Sequence, residues 1–208
     1  MKPNDWREVL EGEKQIGSIT QPKPAIIWLT GLCGSGKSML ATKIVDELRV
    51  RGYGACNLDG DELRKGICSD LGFSLKDRSE NVARVGEVAK LLVDAGMFAV
   101  VSLVSPILID RAMVRDSVEE NQFIEIHMNA SLEYCESVDA KGNYAKARSG
   151  KLKDFTGISS SYEFPKDAEL TFNIEVHDIE LVCIRNIIAF LNERGNITIS
   201  TGTGDNNG

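Results

Sequence analysis

Gly31-Leu32-Cys33-Gly34-Ser35-Gly36-Lys37-Ser38 fits the pattern G-x-x-x-x-G-K-[ST], and it follows directly on an apolar, β-favouring run, Ile26-Ile27-Trp28-Leu29. A strand that runs into a glycine-rich turn and then a helix is the cradle in which proteins hold nucleotide phosphates. Gly31, Gly34 and Gly36, with Ser35 between them, let backbone N–H groups converge on the phosphate oxygens. Lys37 adds a point charge, and the Ser38 hydroxyl is placed to reach a Mg²⁺ ion. The helix that follows starts with its positive end toward the anion.

Working outward from this loop, strands and helices alternate. The pattern predicts strand Ile26 to Thr30, helix Ser38 to Arg51, strand Tyr53 to Leu58, helix Asp77 to Ala95 and strand Met97 to Val104. Helix Asp110 to Glu119 and strand Phe123 to Met128 follow. Such alternation implies an α/β fold with a mainly parallel sheet and helices on both faces. Residues 138 to 161 break it with Gly142, Gly150, Gly157, a serine run and many basic residues, which reads as a mobile lid over the phosphates. Leu170 to Val176 reads as a last strand and Ile179 to Glu193 as a last helix. Residues 1–24 are a polar extension, 25–194 the catalytic domain, and 195–208, rich in Gly, Asn and Thr, a disordered tail.

With 208 residues and 42% hydrophobic content, the chain has material for one full core. A net charge of −7 and a pI near 5.0 argue against nucleic acid or an anionic membrane as the main partner, so a polyanionic substrate needs a local cluster of cations. The five cysteines are odd in number and scattered, which suits reduced thiols in the cytoplasm. No apolar stretch is long enough to span a bilayer, and the acidic N-terminus lacks a signal-peptide core.

Leu58-Asp59-Gly60-Asp61 closes the second strand, on the sheet edge that also carries the glycine-rich loop. Two carboxylates there suit phosphoryl transfer, which asks for a metal partner and for a group that orients or deprotonates a hydroxyl. Asp61 is the stronger candidate of the two. The alternative is an Asp-Gly turn in which Asp61 only caps the next helix. Arg64, Arg78, Asn81 and Arg84 would face the same crevice and offer forked donors to a second anion. Phe73 and Phe155 flank loops and could sandwich a base, and Lys153 could close over the transferred phosphate.

In this order the motifs resemble those of the adenylylsulfate kinase family. The matching stretches are Gly31-Leu32-x-Gly34-Ser35-Gly36-Lys37-Ser38, Leu58-Asp59-Gly60-Asp61-x-Leu63-Arg64, Asp70-Leu71-Gly72-Phe73-Ser74, Asp77 to Lys90 and Lys153-Asp154-Phe155-Thr156-Gly157. The resemblance covers about Ile26 to Val176 and implies a three-layer α/β/α fold of P-loop NTPase type. It implies transfer of the γ-phosphate of ATP to the 3′-hydroxyl of adenosine 5′-phosphosulfate, a step of sulfate assimilation, by a homodimer. By the same resemblance Lys37, Ser38 and the residue after them, Met39, hold the ATP phosphates, with Ser38 and Asp61 serving Mg²⁺. Asp61 orients or deprotonates the 3′-hydroxyl, and Arg64, Arg78 and Asn81 grip the phosphosulfate. Phe73 and Phe155 stack on its adenine, Lys153 stands near the reacting phosphates, and Ser105 contacts the substrate through main chain and hydroxyl.

The chain departs from the family pattern mostly on the donor side. Met39 stands where a threonine is usual, Cys33 replaces a serine, and Val138 opens the lid where an arginine is expected against the ATP adenine. On the acceptor side Glu62, Lys65, Ile107 and Leu108 also differ. These changes predict weaker, less base-selective ATP binding with phosphosulfate recognition kept. On the residues alone, a related kinase for another nucleotide- or sugar-linked hydroxyl and a nucleotide-binding sensor without turnover remain open.

Overall fold

The computed structural model describes residues 22–198. The expected N-terminal extension as far as Gln21, and the tail from residue 199, lie outside the described residues. Five parallel strands form one sheet: β1 (Ile26–Thr30), β2 (Ala55–Asp59), β3 (Phe98–Ser102), β4 (Phe123–Asn129) and β5 (Leu170–Asn173), in the order β2-β3-β1-β4-β5. Every residue of β1 and β3 is buried, as befits central strands covered on both faces. The alternation of side chains divides β1 between two layers. Ile27 and Leu29 pack with Leu40, Ile44 and Leu48 of α1 (Lys37–Val50) and with Ile187 and Leu191 near the chain's end. Ile26 and Trp28 meet Val82, Val85 and Ala89 on the opposite face.

The helix carrying those residues runs Leu75–Asp94, two residues earlier than its apolar spacing predicts. Ser74 is its cap: the Asp77 N–H donates to the Ser74 hydroxyl at 3.2 Å, and that hydroxyl donates to the Asp77 carboxylate at 2.7 Å. Before it lies a short helix the pattern did not predict, α2 (Gly60–Leu63), so the long helix is α3. Helix α4 spans Leu108–Asp116 and packs closely on α3, where a side chain at Gly86 would meet Val114 at 2.7 Å. Two more short helices, α5 (Leu132–Ser137) and α6 (Asn143–Arg148), precede β5, and a π-type turn at Ile179–Cys183 leads into α7 (Ile184–Glu193).

Asn196 and Ile197, expected near the start of a disordered tail, pack against the domain. Both are buried, and the Asn196 side-chain amide donates to the Lys23 carbonyl at 2.8 Å. Among the described residues no helix is long and apolar enough to cross a membrane, and all five thiols are free. The C-terminal ends of β1, β2 and β3 open on one edge of the sheet, where the strand order reverses about β1 and ligands of such folds bind.

Candidate active site

The loop after β1 leaves the sheet through Gly31, where a β-carbon would lie 2.6 Å from the Met128 carbonyl of β4, so no larger residue fits. Gly36 caps α1 at φ 78°, a left-handed conformation that favours glycine. Just after it, Lys37 folds back on its own loop. Its ammonium donates to the Leu32 carbonyl at 2.6 Å, the Gly31 carbonyl at 3.0 Å and the Ser35 hydroxyl at 3.3 Å. Burial pulls its pKa down to about 8, against the opposing pull of Cys33, Cys135, Asp59 and Asp61.

Only the protonated lysine attracts phosphate, so affinity for MgADP should fall as pH climbs past about 8. Phosphate raises the lysine's pKa, so binding near that pH takes up protons, and calorimetry in buffers of different ionisation enthalpy should report the uptake. Stability of the free protein moves the other way. Between about 8 and the ordinary lysine value of 10.5 the unfolded chain holds the extra proton, so stability from this group rises with pH.

Asp59 at the end of β2 ties the loop to the rest of the edge. Its carboxylate accepts from the Ser38 hydroxyl at 2.6 Å and the Ser102 hydroxyl at 2.8 Å, and from the Asp61 N–H at 2.9 Å, which caps α2. Burial raises its pKa, but these hydrogen bonds outweigh burial and leave it below the ordinary carboxylate range. Capping, the alternative role for Asp61, therefore falls to Asp59. The Asp61 carboxylate is exposed and ion-paired with Lys141 of the 138–161 segment.

Across the cleft, Arg64 donates to the Leu71 and Gly72 carbonyls at 3.0 and 2.9 Å and lies 4.5 Å over the Phe73 ring. Arg78 donates to the Phe73 carbonyl at 3.0 Å and to the Asp154 carbonyl, 76 residues on, at 3.3 Å. Burial, and then Arg64 beside it, lower the Arg78 pKa. Asn81 is 4% exposed, and its side-chain oxygen is buried with no hydrogen-bond partner, an acceptor that awaits a donor. Lys37, Ser38, Asp61, Arg78, Asn81 and Lys153 all border one cavity of about 660 Å³, within the range of small-ligand sites.

Comparison with known proteins agrees with this geometry. The sequence profile of adenylylsulphate kinase matches residues 23–173. The chain belongs to the adenylylsulphate kinase family. It is 46% identical over 188 residues to the adenylyl-sulfate kinase of Prochlorococcus marinus, covering 90% of this chain and 93% of that one. With the adenylyl-sulfate kinase of Marinobacter nauticus it shares 49% over 189 residues, 91% of this chain and 94% of the other. The structure of the Mycobacterium tuberculosis APS kinase CysC in complex with AMPPNP and APS superposes with a TM-score of 0.77 at 39% identity, over 82% of this chain and 99% of that one.

The sequence candidates divide between those that face the cleft and those that do not. Gly34, Gly36, Met39, Arg64 and Phe73 border it, whereas Gly31, Ser35 and Arg84 do not. Arg84, expected to face the crevice, is instead held by Asp70 at 2.7 Å and Glu80 at 2.8 Å. It lies six residues beyond Arg78, about 9 Å farther along α3, which carries it past the opening. Ser105 borders the cleft, but its hydroxyl is already engaged: it accepts from the Trp28 indole at 3.0 Å and donates to the Thr30 hydroxyl at 3.1 Å. Phe155 is buried with its ring edge-on to Tyr144, while Phe73 is half exposed. Lys141 and Ser102 are not among the sequence candidates, and of the two strand-end carboxylates it is Asp59 that the Ser38 hydroxyl meets. The sign for Asp59 was its place as the last residue of a strand beside the loop.

Proposed function

We propose that this chain, an adenylylsulfate kinase, transfers the γ-phosphate of ATP to the 3′-hydroxyl of adenosine 5′-phosphosulfate, giving ADP and 3′-phosphoadenosine 5′-phosphosulfate. The observation that carries this reading is the single cavity bordered by a phosphate loop on one side and, on the other, by a carboxylate, two arginines and an unpartnered amide oxygen. In a chain of net charge −7, Lys37, Arg64, Arg78, Lys141 and Lys153 supply the local cations that two anionic nucleotides need.

Lys37 leaves the carbonyls of its own loop to meet the ATP phosphates, and the glycine-rich turn and the start of α1 direct backbone N–H groups at them. Arg64 and Arg78 hold the phosphosulfate, Asn81 accepts from the acceptor nucleotide, and Phe73 stacks on its adenine. Asp61 parts from Lys141 and takes the proton of the 3′-hydroxyl as that oxygen bonds to the γ-phosphorus. The bond from phosphorus to the β–γ bridging oxygen breaks, and ADP carries the electron pair away. Lys141, released, and Lys153 both border the cavity and supply positive charge for the transferred group. Ser38 and Asp59, bonded to each other at 2.6 Å, offer the hard oxygen donors that Mg²⁺ prefers and would hold it beside the bound phosphates. Mg²⁺, when bound, neutralises charge on the β- and γ-phosphates.

A coupled assay of ADP release tests the reading. Release should require both MgATP and adenosine 5′-phosphosulfate. Release that ignores the phosphosulfate, or that depends on a different hydroxyl compound, overturns it. Val138 borders the cleft and is half exposed, at the position where the family resemblance implies an arginine against the ATP adenine. Val138→Arg should restore a stacking cation for the ATP base and lower KM for ATP about two- to fivefold, with a smaller gain for GTP. The family resemblance supports a homodimer as the assembly, and five free thiols suit a cytoplasmic protein.

A further inference from the structure

Arg111 of α4 is 2% exposed, and all three of its donor nitrogens are engaged. Nε donates to the Glu125 carboxylate at 2.6 Å, Nη1 to the Ser105 carbonyl at 2.6 Å and Nη2 to the Glu163 carbonyl at 2.9 Å. The first bond neutralises a buried charge. The other two join backbone segments 58 residues apart in the chain, of which the Ser105–Pro106 segment borders the cleft. Ser105 borders the cavity at φ 38°, a left-handed conformation that a serine holds only when its surroundings impose it. Glu163 lies two residues beyond the lid that carries Lys153 and Phe155.

The same two segments are bonded to each other. The Glu163 N–H donates to the Pro106 carbonyl at 2.8 Å, and its carboxylate accepts from the Leu108 N–H at 2.6 Å, which caps α4. Tyr162 shares a hydrogen bond of 3.0 Å with Thr30. Thr30 gives its own proton to the Val104 carbonyl, so the tyrosine is the donor. Residues 105–108 and 162–163 thus close a ring around the guanidinium. Buried ion pairs add little net stability over an apolar side chain of equal volume, whereas a planar fork fixes the spacing of two acceptors as no other side chain does.

We propose that Arg111 is a positioning residue for the acceptor nucleotide. It touches no substrate. It holds the Ser105–Pro106 wall in its left-handed turn and fixes the anchored end of the lid at the distance the phosphosulfate requires. This rests on the kinase reading above. Removing the fork should therefore weaken the acceptor side and spare the donor side.

Arg111→Lys keeps a cation beside Glu125 but cannot bridge both carbonyls. Steady-state kinetics with each substrate varied should show KM for adenosine 5′-phosphosulfate raised about tenfold or more, with KM for ATP and the calorimetric Kd for ADP changed less than about twofold. Trp28→Phe removes the indole tether on the Ser105 hydroxyl together with part of a fully buried ring, so Tm should fall from lost packing while the lost tether gives the same KM split at about threefold. A merely structural role would lower Tm and move both KM values together, or neither, and that result overturns the proposal. If Arg111→Lys fails to fold, the Trp28→Phe kinetics decide: an acceptor-only rise supports the proposal and no rise overturns it. Failure of the unsubstituted protein to use the phosphosulfate would instead strike the kinase reading, so the two failures are separable.

Discussion

Asp61→Asn is expected to lower kcat for phosphosulfate phosphorylation by about 10²- to 10⁴-fold, the usual contribution of a positioned general base. Asparagine keeps the shape of the side chain and can still receive a hydrogen bond from Lys141, but it cannot take the proton of the 3′-hydroxyl. The fold should not notice. The Asp61 side chain is 68% exposed, its ion pair with Lys141 is a surface pair, and the cap of α2 belongs to Asp59. Stability should therefore stay within about 0.5 kcal/mol of the parent, as for ordinary surface substitutions. Circular dichroism melts beside steady-state rates check both halves. A mild kinetic effect here, with a severe one for Asp59→Asn, would move the base to Asp59 and refute the assignment.

Lys37→Met carries the second large effect. Removing a positioned cation from the transferring phosphates should cost about 10²- to 10³-fold in kcat. Its consequence for stability runs the other way. The Lys37 pKa stands at about 8 rather than 10.5 in the free protein, so near neutral pH its buried charge costs on the order of 3 kcal/mol. Methionine removes that cost and leaves the loop carbonyls short of a donor, and the Leu32 carbonyl still accepts from the Ser35 N–H at 3.1 Å. The nucleotide-free variant should melt at the same temperature as the parent or higher, and should lose the rise in stability between pH 8 and 10.5. A Tm several degrees lower would contradict this reading of Lys37 as a charge held in reserve for phosphate.

Both predictions concern residues the sequence names outright, because a phosphate loop and a strand-end Asp-Gly-Asp are short-range patterns with a fixed place on a parallel sheet. What the sequence leaves dark is set by contacts far along the chain. Helix α4 begins two residues before its expected start because its cap is Glu163, 55 residues away. Lys141 meets Asp61 across 80 residues, and no local pattern marks the pairing. The Ser105 hydroxyl accepts from the Trp28 indole 77 residues earlier, again with no local mark. By contrast Ser74-x-x-Asp77 is a legible helix start, whereas the apolar periodicity of α3 is silent about its first polar turn and points only to Asp77. Arg84 shows the limit of helical spacing: it identifies a face but not how far along that face a cleft extends.

The central claim is that one cavity seats both nucleotides and passes phosphate directly between them. The measurement that tests it most directly is the fate of a labelled γ-phosphate from ATP, followed by phosphorus–proton correlation NMR of the product formed with adenosine 5′-phosphosulfate. The label should appear on the 3′-oxygen, coupled to the ribose H3′. Label recovered as free phosphate, or on any other hydroxyl, would contradict the account.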